Sequence, residues 1–310
     1  MKLKQVNKLV FITLLILSTS TEAQMPVVAQ GKMVFKKFEN SNYIDSRTIA
    51  IWLPNQYNPS LKYNVIYMHD AQSLFDTAVS WNHQTWEVDE TMQSLIDNQK
   101  VPNTIVVGIY NAEWKRRSEY FPQKALLSLS KQMKDSVSQL KDKNNQLVFL
   151  GDFNADNYLK FIVNELKPYV DSSFSTYSDA AHTFIAGSSM GGLISLYALC
   201  EYPNVFGGAA CLSTHWTGTA FYVIKEVPEA ILLYYQKHLP NPKNHKIYFD
   251  YGSVGLDSLY QPFQNKMDEV MRSKKYDETH WITREFVGDG HDEKAWRNRL
   301  HVPLEFLLKP

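Results

Sequence analysis

A serine hydroxyl is a poor nucleophile near neutral pH and needs a base beside it, itself oriented by a carboxylate. The stretch Gly187-Ser188-Ser189-Met190-Gly191-Gly192 holds a candidate for the first part. The apolar run Thr183-Phe184-Ile185-Ala186 leads into it, and the helix-like Leu193-Ile194-Ser195-Leu196-Tyr197-Ala198-Leu199 leaves it. Strand, sharp turn and helix therefore follow one another. In Gly-x-Ser-x-Gly at such a junction, a strained turn lifts the Ser189 hydroxyl clear of the sheet. Glycine at 187 and 191 lets strand and helix crowd together. The helix start at Met190 adds a backbone N–H and a positive dipole end, suited to a developing oxyanion. The same letters also fit an ordinary Gly-rich turn, so the partners decide.

Six histidines follow the serine: His215, His238, His245, His280, His291 and His301. His291 is the expected base. It lies on the Gly-flanked loop Gly288-Asp289-Gly290-His291-Asp292, after the strand-like run 281–286 and before a helix-like pattern over 293–308. A histidine between last strand and last helix can reach over the carboxyl edge of a sheet. His215, after the strand-like Ala209-Ala210-Cys211-Leu212-Ser213, reads as a pocket-lining side chain. The other four carry no local signal.

The acid is expected after the strand 246–252. Asp257, on the loop leaving that strand, is favoured, and Asp250, within the strand, is the rival. Asp292 adjoins His291 and is too close along the chain to approach the imidazole easily from its far side. The geometric demand is that the carboxylate accept from one ring nitrogen while the other faces the serine.

A second oxyanion donor must come from an earlier loop. The run Tyr63-Asn64-Val65-Ile66-Tyr67-Met68 reads as a buried strand, and His69-Asp70-Ala71-Gln72 leaves its end. Ala71 is the expected donor, with Gln72 as a side-chain contributor. No further ligands at metal-binding spacing accompany His69 and Asp70, so no metal is expected and His69 is read as shaping the loop.

These residues resemble a known family, the esterases grouped under the name Putative esterase within the α/β-hydrolases. It includes feruloyl, acetylxylan and enterochelin-type esterases, S-formylglutathione hydrolases and mycolyltransferases. The resemblance runs from about Asp45 to the C-terminus. Arg47-Thr48-Ile49-Ala50-Ile51-Trp52-Leu53-Pro54 is similar to the family's early strand. Val65 to Phe75 resembles its "YMHDGQNLF" loop, with Ala71 in place of Gly. Ile105-Val106-Val107-Gly108-Ile109, then Arg117, Glu119, Tyr120 and Pro122, resembles "VVGI…R..EY.P". Gly187 to Gly192 matches "GSSMGG", and Gly290-His291-Asp292 with Trp296 resembles "GHD…W". The resemblance implies Ser189 as nucleophile, His291 as base and an acid near Asp257. It departs at the acid: where many relatives carry theirs, Gly255 stands here, two residues before Asp257.

Residues 1–23 read as a secretory signal. Lys2, Lys4 and Lys8 make the positive start, Leu9 to Leu17 the apolar stretch, and Thr21-Glu22-Ala23 the cleavage site. The apolar part is far shorter than the roughly 20 residues of a membrane span. Removing the signal takes three lysines and one glutamate from totals of 32 basic and 32 acidic residues. The near-neutral remainder, one domain over 24–310, has no basic stripe for nucleic acid. Cys200 and Cys211 lie in apolar element interiors and are expected as buried free thiols.

After two opening strands (34–38 and 47–53, expected antiparallel), strand and helix alternate, which argues an α/β fold with a mostly parallel sheet. With the resemblance, this becomes an α/β-hydrolase fold with flanking helices. Segments 87–98 and 156–167 have helical spacing. The polar stretch 123–154, with apolar residues at amphipathic spacing, is an insertion that either caps the site as a lid or packs on the surface.

Ser189, His291 and Asp257 imply acyl transfer through an acyl-enzyme without cofactor or metal. Trp81, Trp86, Trp114 and Trp216 lie near loops expected at the carboxyl edge, where exposed rings would stack on a sugar or an aromatic acyl group; at least half are expected to be core. Trp114, Gln72, His215 and Trp216 are the candidate substrate contacts. An exported enzyme removing acetyl or feruloyl groups from polysaccharide is the expected reading. Siderophore trilactone hydrolysis, hinted at by Lys115-Arg116-Arg117, is the alternative, and a non-catalytic binding protein on the same scaffold is a third reading.

Overall fold

A computed structural model describes residues 25–219 and 224–309; the expected signal, 1–23, lies outside them. Eight strands form one sheet: β1 (Lys32–Phe38), β2 (Arg47–Leu53), β3 (Asn64–His69), β4 (Thr104–Ile109), β5 (Thr183–Ser188), β6 (Gly208–Leu212), β7 (Lys246–Gly252) and β8 (Trp281–Phe286). Their order is β1-β2-β4-β3-β5-β6-β7-β8. The β1–β2 and β2–β4 pairs are antiparallel and all others are parallel. The expected opening pair and the parallel body are both present.

The helices are α1 (Val88–Asp97), α2 (Arg116–Tyr120), α3 (Lys131–Ser138), α4 (Ala155–Phe161), α5 (Lys167–Ser173), α6 (Met190–Glu201), α7 (Glu226–His238), α8 (Gln261–Ser273), α9 (Glu293–Arg299) and α10 (His301–Leu308). They cover both faces. Ile49, Ile51, Val65, Tyr67, Val107, Ile185 and Cys211 pack with α4 to α8. The alternate residues Ala50, Trp52, Ile66, Met68, Val106, Ala186 and Leu212 pack with α1, α9 and α10. Central strands with both faces covered become apolar throughout, which is why β3, β4 and β5 read as unbroken runs. Helix α6 is buried from Met190 to Cys200, so it carries no amphipathic stripe. The edge strand β1 alternates exposed and half-buried residues, with lysines at 32, 36 and 37 discouraging further pairing.

Two helical expectations change in detail. The segment expected at 156–167 runs through α4, a π-helical turn (Ile162–Leu166) and α5 to Ser173. Pro168 lacks the N–H that would bond four residues back, and the wider turn lies just ahead of it. The final helix divides at Leu300 into α9 and α10, with Pro303 one turn beyond the break. The insertion 123–154 holds a 3-10 turn (Gln123–Ser128), α3 and an antiparallel bridge between Lys141 and Leu147. Its Leu126, Val137, Val148 and Phe149 join the larger core, while Leu127 is exposed. Cys200 and Cys211 are buried free thiols, each raised by burial away from the thiolate form. Among the described residues no helix is long and apolar enough to cross a membrane.

Candidate active site

Ser189 joins β5 to α6 with φ +58° and ψ −121°, a conformation that costs a non-glycine residue about 1–3 kcal/mol unless its surroundings impose it. Here they do. Its N–H donates to the Leu212 carbonyl at 2.9 Å, and its carbonyl accepts from Gly192 (3.0 Å), Leu193 (3.3 Å) and His215 (3.1 Å). A Cβ on Gly187 would lie 2.9 Å from the carbonyl carbon of Gly191, so glycine is what allows this crowding. Met190 opens α6, and a first-turn N–H has no intrahelical acceptor.

The second turn lies alongside. Parallel register sets Tyr67 against Ile185 and Met68 against Ala186, so β3 and β5 deliver their following residues to the same edge. Asp70 is left-handed (φ 61°, ψ 48°), and Ala71 opens a short 3-10 turn after it. Arg116 Nε and Nη2 donate to the two Asp70 oxygens at 2.6 and 2.7 Å, and Asn111 Nδ2 donates at 2.6 Å. Burial alone would raise the Asp70 carboxyl, but the charge and hydrogen bonds of Arg116 hold it below the usual range. A Cβ on Gly191 would meet Asp70 Oδ2 at 3.4 Å, so this turn sits against the start of α6. Gln72 Oε1 accepts from the Asn111 N–H at 3.2 Å and braces the loop after β4. His69 shapes the turn from beneath: its Nδ1 lies 2.8 Å from the Tyr158 hydroxyl, and burial keeps the ring neutral, lowered to about 3.

His291 and Asp257 meet. His291 Nδ1–H donates to Asp257 Oδ1 at 2.5 Å, while Asp257 Oδ2 accepts from Ser213 Oγ (2.5 Å) and the Gly252 N–H (2.7 Å). Burial would raise Asp257, but the hydrogen bond and charge of His291, helped by Ser213 and Gly252, hold it below the ordinary carboxylate value. The two loops are tied together, because the Asp289 carbonyl accepts from the N–H of Ser253 (3.0 Å) and Val254 (3.1 Å). The rival, Asp250, is fully buried and pairs with Arg299 Nη2 at 3.0 Å; burial pushes it up against that pairing. Asp292 caps α9, accepting from the Ala295 N–H at 2.9 Å.

Tyr260 links the serine to the histidine. Its ring packs nearly edge-on against His291 at 5.8 Å, and its hydroxyl lies within hydrogen-bond reach of Ser189. That hydroxyl also sits 2.6 Å from His215 Nδ1, while His215 Nε2 faces the Thr219 carbonyl at 3.0 Å. The pairing assigns the proton to Nε2 of a neutral ring, and burial, with the charge of His291, lowers His215 to about 3. Tyr260 thus donates to His215 and turns lone pairs toward Ser189.

The remaining expectations divide. Trp216 is buried, packed on Phe249 and hydrogen-bonded through its indole to Gln264 at 2.9 Å. It is a core residue rather than a substrate contact, because its polar edge and both faces are taken up inside. His215 is likewise buried, one layer behind Ser189. Trp86 is buried against Trp296. Trp114 and Trp81 are exposed, although the Lys115 ammonium covers the Trp114 ring at 4.8 Å. Sequence reasoning missed Ser213, Tyr260 and Arg299, and read Arg116 only as part of a cationic run. The R-x-x-E-Y spacing before Glu119 and Tyr120 falls on Arg116, which corrects the placement of that arginine at Arg117 above.

A mostly parallel sheet covered on both faces, with a serine elbow at its carboxyl edge, defines the α/β-hydrolase fold. The chain belongs to the Putative esterase family, whose model matches residues 41–307, and it is a carboxylic ester hydrolase. It is 25% identical over 228 residues to the uncharacterized protein YjcH of Bacillus subtilis (strain 168), covering 73% of this chain and 75% of that one. Among solved structures it shares its fold with a ferulic acid esterase (TM-score 0.61, 17% identity, 90% of this chain and 98% of that one). The enterobactin esterase FES of Shigella flexneri also shares it (TM-score 0.63, 18% identity), with 92% of this chain matching 60% of that one.

Proposed function

We propose that this protein is an exported serine esterase that removes acetyl or feruloyl groups from polysaccharide. The observation that carries the reading is the 2.5 Å pair of His291 Nδ1 and Asp257, with Tyr260 packed on that histidine and its hydroxyl within reach of a Ser189 held in strained backbone. In this reading Ser189 Oγ attacks the ester carbonyl and His291 Nε2 takes its proton. Asp257 holds the ring in the tautomer that exposes Nε2 and stabilises the imidazolium. The N–H groups of Met190 and Ala71 receive the oxyanion. The imidazolium then protonates the departing alcohol, and water, activated by the same histidine, releases the acid.

Export rests on the signal-like residues 1–23, and the segment 123–154, which follows β4 at the carboxyl edge, is read as a cap over the site. A polysaccharide ester is favoured over a siderophore trilactone because the cationic run is largely neutralised. Arg116 is bound to Asp70 and Lys115 lies 2.5 Å from Asp45. Only Arg117 remains near Tyr260, which is little positive charge for a multiply anionic catecholate.

The test is turnover of p-nitrophenyl acetate, methyl ferulate, acetylated xylan and a catecholate trilactone by the mature protein, beside Ser189→Ala. Activity on the first three that vanishes in the variant is expected. Preference for the trilactone would overturn the substrate class. Absence of turnover, with no fluorophosphonate labelling of Ser189, would overturn the mechanism.

A further inference from the structure

Acyl transfer assigns each half of the substrate a side of the site. The carbonyl oxygen faces Ala71 and Met190, and the leaving alcohol lies at His291, which must protonate it. Two residues beyond His291, Glu293 begins α9 and is only 6% exposed. A carboxylate in such a place must be hydrogen-bonded. Its Oε1 accepts from the Trp81 indole N–H at 3.2 Å, and its Oε2 accepts from Asn82 Nδ2 at 2.7 Å.

A buried carboxylate beside the histidine thus grips a segment over two hundred residues away in sequence, while Trp81 stays 77% exposed. Folding removes little of this indole from water, so the hydrophobic effect does not account for its placement. An indole pinned by its N–H edge keeps its faces open and has already lost much of its rotamer freedom, which makes it a low-cost contact surface. The other loop tryptophans lack this combination. Trp86 and Trp216 are core, and Trp114 is overlaid by Lys115.

We propose that Trp81, fixed by Glu293, is a stacking platform for a neutral pyranose ring in the alcohol part of the substrate. The assignment rests on the serine esterase reading for its orientation: the C–H face of the sugar lies on the indole while the ester it carries reaches Ser189. An aromatic acyl group would lie on the opposite side of the scissile bond and would not touch Trp81.

The experiment measures xylohexaose binding by titration calorimetry for the wild-type protein and Trp81→Ala. Alongside it, kcat and KM are determined for p-nitrophenyl acetate and an acetylated xylo-oligosaccharide. In Trp81→Ala, xylohexaose affinity is expected to fall about five- to tenfold. The oligosaccharide KM should rise by a similar factor, with p-nitrophenyl acetate turnover unchanged. No binding to wild type, unchanged binding in the variant, or equal losses on both esters would overturn the platform; equal losses would make Trp81 a prop for His291. Ser189-dependent p-nitrophenyl acetate turnover without sugar binding removes the platform and leaves the esterase. Trp81-dependent sugar binding without ester turnover keeps the platform and removes the esterase reading.

Discussion

Ser213 Oγ donates a 2.5 Å hydrogen bond to Asp257 on the carboxylate oxygen that His291 does not use. The same Oγ accepts from Trp296 Nε1 and Arg299 Nη2, each at 2.9 Å, and Ser213 itself is left-handed at φ 41°. Arg299 continues the chain to Asp250 and, through Nη1 at 2.9 Å, to Asp289. Asp257 is therefore held from behind by a buried network whose arginine also serves two further carboxylates, Asp250 and Asp289.

That division separates two substitutions. In the proposed mechanism Asp257→Asn leaves His291 in the wrong tautomer, and kcat is expected to fall about 10³- to 10⁴-fold. Asp250→Asn leaves the buried Arg299 without its main partner, and its expected signature is a loss of about 3–5 kcal/mol in urea unfolding with turnover largely kept. The reverse pattern would make Asp250 the acid.

Gly187→Ala tests the elbow. The added carbon would press on Gly191 at 2.9 Å, and the three nearest atoms are all Gly191 backbone, which cannot swing aside as a side chain could. A stability loss of about 1–3 kcal/mol is expected, with kcat falling more than KM rises because Ser189 is displaced from attack. Wild-type kinetics in the variant would show that the crowding does not position the nucleophile.

In the proposed mechanism Arg116 acts on the oxyanion side through Asp70. Replacing it by Ala should relax the left-handed turn that presents the Ala71 N–H, lowering kcat by about 10²-fold with little change in KM. Arg116→Lys should recover only part of this, since an ammonium cannot span both Asp70 oxygens as the planar fork does. Full activity in Arg116→Ala would detach this ion pair from catalysis.

Burial lowers both His69 and His215 to about 3, whereas in the unfolded chain they titrate near 6.5. The unfolded state then binds protons more readily between these values, so stability is lost as pH falls below about 6.5 and continues to be lost toward 3. Each ring contributes a slope of about 1.4 kcal/mol per pH unit. Glu90, raised to about 7 by burial and by Asp89, opposes them, because a raised carboxyl favours the folded state at low pH. The comparison that isolates one ring is His69→Gln against wild type by urea unfolding at pH 7, 6 and 5. The wild type should lose more stability than the variant, by about 1 kcal/mol per unit below pH 6; parallel curves would mean that the buried ring is already charged.

Local pattern alone carries the elbow at Ser189, seven of the eight strands (β4 entered only through the family resemblance) and the alternation that makes the sheet mostly parallel. These features depend on neighbours within a few residues: unbroken apolar runs for doubly covered strands, glycines where strand meets helix, a histidine on a Gly-flanked loop. The chain's own letters also narrowed the acid to two positions. What they could not convey was that His291 bonds Asp257 while Arg299 takes Asp250, pairs 34 and 49 residues apart. Nor could they sort Trp216, inside the core, from Trp81, outside it. Such partnerships leave no periodic trace in the sequence. Hydrogen-bond reach is about 3 Å, and only the packed sheet, by delivering its loops to one edge, decides which distant side chains come within it.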